Sequence, residues 1–423
     1  MKKLWALFLI VLSVSMAGAL DFDPDGYGSM SDIYGIDDNA GLTAFPVLNV
    51  PMGGRSEGMA TAFTAVADDL SFIEWNPAGS AMLEYTELGF FHNNWIADTH
   101  VEGAVFASRF RDLGYAAGVK WLYTPFSEYN MFGERVSKGY YSEAVATLNV
   151  SYNFFSGYYF SGLSVGANLK GAFRFVPDYS DADDQGKSGQ LISGSGLEQS
   201  AVMAMVDIGL LTRFNFLKTY HARERNTSAA LVIRNLGPAA GGDALPTAVV
   251  ASLAYKPLRP LTLDFDFTVP LNLVDFSLSE KPYWAAGMNV AITSFLSMRA
   301  GLLGKTGGYR VTLGSAVNFG KIALDLNYSL DLLTQLTPLN RVSIAVRFNF
   351  GDQGRKEFSN RVDALYLEGL DAYTEGRYDL AIERWREVLE LNPKFDPARE
   401  GIELVENSRA LDEHIREMQT LDF

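Results

Sequence analysis

The segment from Arg341 to Phe350 alternates strictly in polarity. Every second position is apolar, and the positions between carry Ser, Ala, Arg and Asn. A period of two places these two sets on opposite faces of a β-strand. In a soluble sandwich the apolar face would point inwards, whereas in a membrane barrel it points outwards and the polar face lines the lumen. The rest of the sequence has to separate these alternatives.

Similar segments recur from Thr86 onwards, separated by clusters of Gly, Pro, Asn, Asp and Ser that are typical of turns. Their spacing predicts about fourteen strands within residues 86–350. The chain has 13% aromatic residues and 39 Gly, and its mean hydropathy of +0.02 suits a barrel whose spanning residues are only half apolar. We therefore predict an all-β transmembrane barrel of about 14 antiparallel strands.

The predicted connections alternate in length, as barrels with short periplasmic turns and longer extracellular loops require. The tight connections are 110–112, 257–260, 292–294 and 320–321. The long ones are 125–139, 176–200, 237–246, 270–282 and 331–340. If the tight set is periplasmic, an even strand number places both chain ends in the periplasm. The segment from Lys218 to Asn226 is an exception, because it is long and basic.

The N-terminus has the pattern of an export signal. Lys2 and Lys3 precede an apolar run from Leu4 to Val14, and Ala17-Gly18-Ala19 supplies small residues for cleavage. The run is shorter than the roughly 20 residues of a spanning helix. We predict a signal peptide over residues 1–19. Because the chain has 0 Cys, disulfides, thiolate metal sites and a cysteine-linked lipid are excluded.

Charged residues fall on the polar faces of several predicted strands. An Arg or Lys facing lipid at the bilayer centre costs about 2–4 kcal/mol, so a barrel places such residues inside. The sequence predicts that Asp264, Asp266 and Asp325 share the lumen with three arginines, Arg299, Arg310 and Arg347. One interpretation is a structural ion network that braces the barrel. The other is that part of this set lines a substrate path.

The composition changes after the barrel. Residues 351–360 are predicted as a linker, and residues 361–423 as a small all-α helical-hairpin domain. The domain follows the 34-residue pattern of a tetratricopeptide repeat. The residues predicted to form its core and to end its second helix are Gly369, Tyr378, Ala381, Trp385 and Pro393. One repeat is fewer than the roughly three needed for independent stability, so we expect it to dock on the barrel rim, self-associate or bind a partner.

Several classes of function are not favoured. The net charge of -15 argues against nucleic-acid binding. The four histidines show no metal-ligand spacing, and no nucleophile elbow or phosphate-binding loop is present in the sequence. We therefore predict no enzymatic activity, no cofactor and no metal site.

The segment ahead of the first strand carries a more specific pattern. Residues 53–69 combine small residues with an Ala67-Asp68-Asp69 step, and an Asn76-Pro77-Ala78-Gly79 turn follows. This segment resembles the N-terminal hatch of FadL-type outer-membrane transporters and of the related PorV-like barrels. The strand end from Ile233 to Pro238 also resembles PorV-like members. The resemblance implies an N-terminal extension and plug over residues 20–85, in which Asn76–Gly79 either only positions the plug or belongs to its moving part.

In FadL-type proteins the plug moves to admit an apolar ligand, which leaves sideways through an interrupted strand. By that resemblance, Gly114 and Gly118 are candidates for a lateral-opening kink, because strand glycines often mark bulges. The implied function is passive passage of hydrophobic small molecules, most plausibly long-chain fatty acids, across the outer membrane. The expected partners are outer-membrane lipid, such a ligand and a periplasmic protein bound by the C-terminal domain, which would lie in the periplasm.

Two alternatives stay open. A PorV-like barrel would attach or shuttle exported or periplasmic proteins instead of transporting a ligand, and a sealed, narrow lumen would support it. A soluble periplasmic β-protein would share the strand pattern but not the outward apolar face. The helical tail favours a partner-binding role, because FadL proper ends at its barrel.

Overall fold

The computed structural model describes residues 37–96, 98–129, 132–175, 200–332 and 339–421. The predicted signal peptide and nearly all of the long loop 176–200 lie outside these residues. The described part contains fourteen strands that form one closed antiparallel barrel, in which β1 pairs with both β2 and β14. The predicted fold class is therefore confirmed.

The strands follow one another around the barrel in chain order. They are β1 (Glu87–Asn94), β2 (His100–Phe110), β3 (Leu113–Tyr129), β4 (Arg135–Phe154), β5 (Leu163–Phe175), β6 (Ala201–Phe214), β7 (Thr227–Leu236), β8 (Thr247–Leu258), β9 (Leu261–Leu271), β10 (Tyr283–Ala291), β11 (Leu296–Lys305), β12 (Gly308–Asn318), β13 (Ile322–Asp331) and β14 (Leu339–Asn349).

The predicted loop between β3 and β4 is wrong in extent. Residues 125–139 were expected to form a long connection, but β3 continues to Tyr129 and β4 begins at Arg135. Pro125 lies opposite Tyr140 in this extension. The two strands form a hairpin longer than its neighbours. The pairing of β3 with β4 outweighs the low strand propensity of the Pro and Gly residues in this stretch.

The two faces of the barrel differ as a membrane protein requires. On β9, Phe265 and Phe267 point outwards and are 48% and 44% exposed, whereas Asp264 and Asp266 point inwards and are 3% exposed. The same alternation on β13 places Leu326 outside and Asp325 inside. An outward apolar band around a polar interior is typical of outer-membrane barrels.

Residues 37–86, here called the inserted segment, fill much of the barrel interior. The segment contains α1 (Arg55–Gly58), α2 (Phe72–Trp75) and two 3-10 turns, Pro46–Leu48 and Pro77–Met82. Phe45, Phe63 and Phe72 have no exposed surface. They pack in one cluster with inward-facing residues of the barrel wall such as Val105 and Val145. The apolar core of the barrel is thus built between the wall and this segment.

Three helices follow β14: α3 (Arg355–Thr374), α4 (Tyr378–Leu391) and α5 (Asp396–Leu421). The first of them begins inside the predicted linker, so that only residues 350–354 lie between β14 and this helix. No helix in the described residues has the length and hydropathy of a membrane-spanning helix.

The core of the helical domain forms around Trp385. This side chain is 2% exposed and its indole N–H donates to the Tyr366 carbonyl at 3.2 Å. A side chain at Gly369 would overlap the indole ring, so glycine is needed where α3 crosses it. Ala381 is also fully buried.

Tyr378 and Pro393 do not belong to this core. Tyr378 is 40% exposed because it is the first residue of α4, and its ring only meets Tyr373 at the domain edge. Pro393 is exposed in the turn between α4 and α5. The assignment to a tetratricopeptide repeat stays a prediction.

The helical domain docks on the barrel end that carries the shorter turns. Lys394 contacts Asp112 in the β2–β3 turn at 2.8 Å, and Tyr159 in the β4–β5 connection donates to Glu400 at 2.7 Å. Arg223, in the long basic β6–β7 connection, pairs with Asp363 of α3. Arg223 of that connection therefore helps to hold the helices.

Candidate ligand-binding site

A cavity of about 340 Å³ opens inside the barrel, towards the end that carries the longer loops. This volume is in the range of small-molecule pockets. Part of its wall is apolar and comes from both the inserted segment and the strands, with Leu48, Met52, Ile73, Val105 and Val145. The arrangement can hold an apolar molecule that enters from the loop side.

The cavity also carries an excess of positive charge. Its cationic lining residues are Lys120, Lys170, Arg234, Lys305 and Arg310, and its lining carboxylates are Glu74 and Glu280. Four of the five cations are paired: Lys120 with Glu74 at 2.5 Å, Lys170 with Asp207 at 2.7 Å, Arg310 with Asp331 at 2.9 Å, and Lys305 with Glu280. Among the described residues Arg234 has no such partner, so an anionic group is favoured next to it.

The Asn76–Gly79 turn lies below this cavity, near the end of the shorter turns, and is fixed to four adjacent strands. The Asn76 amide donates to the Thr64 carbonyl at 2.9 Å, and its oxygen accepts from the Ala78 N–H at 3.0 Å. Asn149 of β4 donates to the Pro77 carbonyl at 2.9 Å. Ser164 of β5 donates to the Ala78 carbonyl at 2.7 Å. At this level the inserted segment is hydrogen-bonded to the inward faces of β4 and β5.

Three inward-facing glycines make room for that turn. A side chain at Gly114 would overlap the backbone of Ser80, one at Gly166 the Pro77 carbonyl, and one at Gly209 the Asn76 amide. The sequence analysis did not identify Gly166 or Gly209. The sequence does contain an indication of their role: glycine occurs at inward-facing positions of neighbouring strands, and such glycines often mark the close approach of another backbone.

Gly114 and Gly118 both lie against the inserted segment. The pairing of β3 with β2 and β4 is regular at both positions, so neither glycine lies at a bulge. Gly118 faces Ile73 of the inserted segment, whose Cδ1 would lie 2.8 Å from an added Cβ. Both glycines admit the inserted segment, and their involvement in a lateral opening stays a prediction.

Asp68 and Asp69 anchor the inserted segment in different ways. Asp68 pairs with Arg55 at 2.6 Å within the segment itself. Asp69 lies 3.4 Å from Arg347 of β14 and thus connects the segment to the wall.

Only some of the aspartates and arginines that were predicted to face the lumen contact one another. Asp325 of β13 bridges Arg299 at 2.5 Å and Arg347 at 3.1 Å, and all three are largely buried. Arg310 pairs instead with Asp331, at 2.9 Å, nearer the loop end. The expectation that all three aspartates face these arginines is wrong for Asp264 and Asp266.

Asp264 and Asp266 bind neutral donors, because β9 faces another part of the inserted segment. Asp266 accepts from the Thr64 hydroxyl at 2.6 Å and from the backbone N–H groups of Phe63 and Thr64. Asp264 accepts from the Ser252 hydroxyl at 3.1 Å. These contacts attach the inserted segment to β8 and β9.

The chain can now be compared with known proteins. The model of the uncharacterised protein family UPF0164 matches residues 31–353. The chain belongs to the UPF0164 family. One UPF0164 protein of Treponema pallidum (strain Nichols) is 30% identical over 372 residues, which cover 84% of this chain and 80% of the relative. A second from the same organism is 28% identical over 384 residues, covering 84% and 74%.

Two solved barrels are similar to this UPF0164 chain at low sequence identity. The Ralstonia pickettii toluene transporter TbuX has a TM-score of 0.43 and 13% identity, with 73% of this chain and 99% of that one covered. The P. putida toluene transporter TodX has a TM-score of 0.42 and 13% identity, with 67% and 94% covered. Membership in the FadL-type or PorV-like families themselves stays a prediction.

Proposed function

We propose that this protein is an outer-membrane barrel that takes hydrophobic small molecules, with long-chain fatty acids as the leading candidates, into its loop-side cavity and passes them inwards past the inserted segment. The observation that carries the proposal is the 340 Å³ cavity whose apolar wall is shared by the barrel and the inserted segment. A ligand in this cavity touches the inserted segment, so binding and opening are physically connected.

The outer-membrane location is supported by the outward apolar band. Leu253, Phe265, Leu313 and Leu326 are each between 48% and 58% exposed on the barrel exterior. In water this surface would be far larger than the apolar patches that monomeric soluble proteins expose. In a bilayer it is the favoured surface, and the strand ends that carry the shorter turns and the helical domain would lie in the periplasm.

A sideways exit would lead through the barrel wall to its outer surface. An apolar groove of about 550 Å³ lies on the outside of β1 to β6, and Val105, Gly118 and Thr147 line both this groove and the inner cavity. At Gly118 the wall itself has no side chain, and the Ile73 side chain of the inserted segment packs against its inner face. We propose this part of the wall, rather than the fixed turn near Gly114, as the exit towards the membrane.

The test is mass spectrometry of lipid extracted from the detergent-purified protein and from the Asn76→Ala variant. Asn76 has no exposed surface and holds the Asn76–Gly79 turn together. The expected result is bound fatty acid or a similar amphiphile in the natural protein and its loss in the variant. Asn340→Ala, on an exposed position of β14, is the matched control and should retain the ligand. An empty natural protein would contradict the proposal.

A protein-attachment role is the second candidate, because the helical domain occupies the turn end of the barrel. A chain truncated after Phe350 distinguishes the two functions. Loss of a cross-linked periplasmic protein, with no ligand in either form, would favour attachment. Retained ligand in the truncated chain would favour transport.

A further inference from the structure

Among the described residues, four cations stack on aromatic rings inside the barrel. They are Arg55 on Phe63, Arg174 on Phe45, Lys305 on Tyr283 and Arg234 on Trp75. In the first three the cation also pairs with a carboxylate, namely Asp68, Glu143 and Glu280. Within the described part of the chain, Arg234 has no carboxylate partner.

Two donors at this stack have no acceptor among the described residues. They are the buried Nε of Arg234 and the buried indole Nε1 of Trp75. A buried tryptophan N–H usually finds a partner, and a buried polar atom that makes no hydrogen bond has a desolvation penalty. Both residues line the loop-side cavity, and the guanidinium lies 4.7 Å from the ring centre.

We propose that Arg234 and Trp75 form the binding site for the carboxylate head of an amphiphilic ligand, whose apolar body lies along the cavity wall. A carboxylate accepts hydrogen bonds from both orphan donors and supplies the countercharge that the other three stacks already have. The apolar body would contact Ile73 and Val145, which line the same cavity. This inference rests on the proposed function and adds the ligand's head group and the residues that bind it.

The site also joins the wall to the inserted segment. Arg234 belongs to β7, whereas Trp75 is the last residue of α2 and directly precedes the Asn76–Gly79 turn. A head group held between them contacts both parts at once. Its arrival would therefore act on the residue next to that turn.

The experiment measures binding of dodecanoate and of 1-dodecanol to the detergent-purified full chain by isothermal titration calorimetry. The two probes share an apolar chain, but only dodecanoate is an anion at about pH 8. Arg234→Met should weaken dodecanoate binding about tenfold or more and change dodecanol binding by less than about twofold. Arg111→Met is the matched control, because Arg111 stacks on the Phe110 ring in the β2–β3 turn and does not line the cavity; it should leave both affinities within about twofold.

Trp75→Phe keeps the ring but removes the donor, and should weaken dodecanoate binding about threefold while sparing dodecanol. This second variant keeps the test decisive if Arg234→Met does not fold, as checked by heat-modifiable gel mobility. Equal binding of both probes with no effect of either variant would overturn this site but leave the proposed function standing. Failure of the natural protein to bind either probe would overturn both.

Discussion

The inserted segment and the helical domain are attached to the same barrel by opposite kinds of contact. The inserted segment is held by buried groups, such as Asn76 and Asp266, that are 0% and 3% exposed. The helical domain is held by exposed ion pairs, and the side chains of Arg223 and Lys394 are 58% and 51% exposed. The N-terminal attachment is part of the barrel core, whereas the C-terminal one lies at the turn end, where Tyr158 also packs on the buried Phe395 ring.

This difference predicts how each attachment responds to substitution. Buried charges that lose a partner destabilise a protein by about 3–5 kcal/mol. Exposed ion pairs contribute only about 0.2–1 kcal/mol and are screened by salt. The inserted segment should therefore leave only with unfolding or with a ligand that compensates for its contacts, while the helices can detach under mild conditions.

Removing the charge of Asp325 should have the largest effect. Asp325→Asn leaves Arg299 and Arg347 without their shared carboxylate, and we expect a loss of about 3–5 kcal/mol in the free energy of unfolding. Urea denaturation in detergent measures it. Asp264→Asn is the control, since Asp264 accepts from the Ser252 hydroxyl and should lose only about 1–3 kcal/mol. Equal losses would show that charge is not what braces this side of the lumen.

A single methyl group at Gly114 should have the next largest effect. Gly114→Ala places a Cβ against the backbone of Ser80, which cannot move without displacing the Pro77–Met82 turn. Overpacking of this kind destabilises by about 1–3 kcal/mol. Gly171→Ala is the control on the outer face of β5, where the nearest atom would lie at an ordinary 3.6 Å. Thermal melting should separate the two, and identical melting would contradict the close approach.

The fold could be predicted because its signals are local. Alternation along residues 261–269 or 341–350 reveals both the strand and which face is polar, without knowledge of the partner strands. The predicted extent of the β3–β4 loop was wrong for the same reason. Pro125 and Gly139 have the local character of a turn, and only the pairing between the two strands outweighs it.

The site could be predicted only in part, because a strand pattern does not indicate which residues meet across a lumen. The strand pattern placed Asp264 and Asp325 correctly on inward faces. It could not show that Asp264 on β9 faces the inserted segment whereas Asp325 faces the arginines of β11 and β14. The Arg234–Trp75 stack joins residues far apart in the chain that share no motif. Such pairs are set by the path of the inserted segment.

Breaking one exposed ion pair should loosen the helical domain without affecting the inserted segment. Lys394→Ala removes the contacts with Asp112 and Ser156, and we expect a loss below about 1 kcal/mol, seen as faster proteolysis at residues 351–354. In about 1 M salt the natural protein should approach the variant, because the Debye length falls to about 3 Å. Arg386→Ala, which affects only a pair with Glu406 inside the domain, should not change the cleavage rate.

The smallest expected effect is a pH dependence confined to the same docking surface. The hydrogen bond to the Glu400 carboxylate raises the pKa of Tyr159 from 10.0 to about 12. A raised pKa means that the docked state retains the phenolic proton, so this contribution is fully present below pH 10 and is lost as the pH rises through about 12. Hydrogen exchange of α5 in the natural protein should therefore increase over this range relative to Tyr159→Phe, which has no phenolic proton to lose. Parallel pH profiles for the two proteins would show that this bond does not hold the helices, leaving the ion pairs of Lys394 and Arg223 as their attachment.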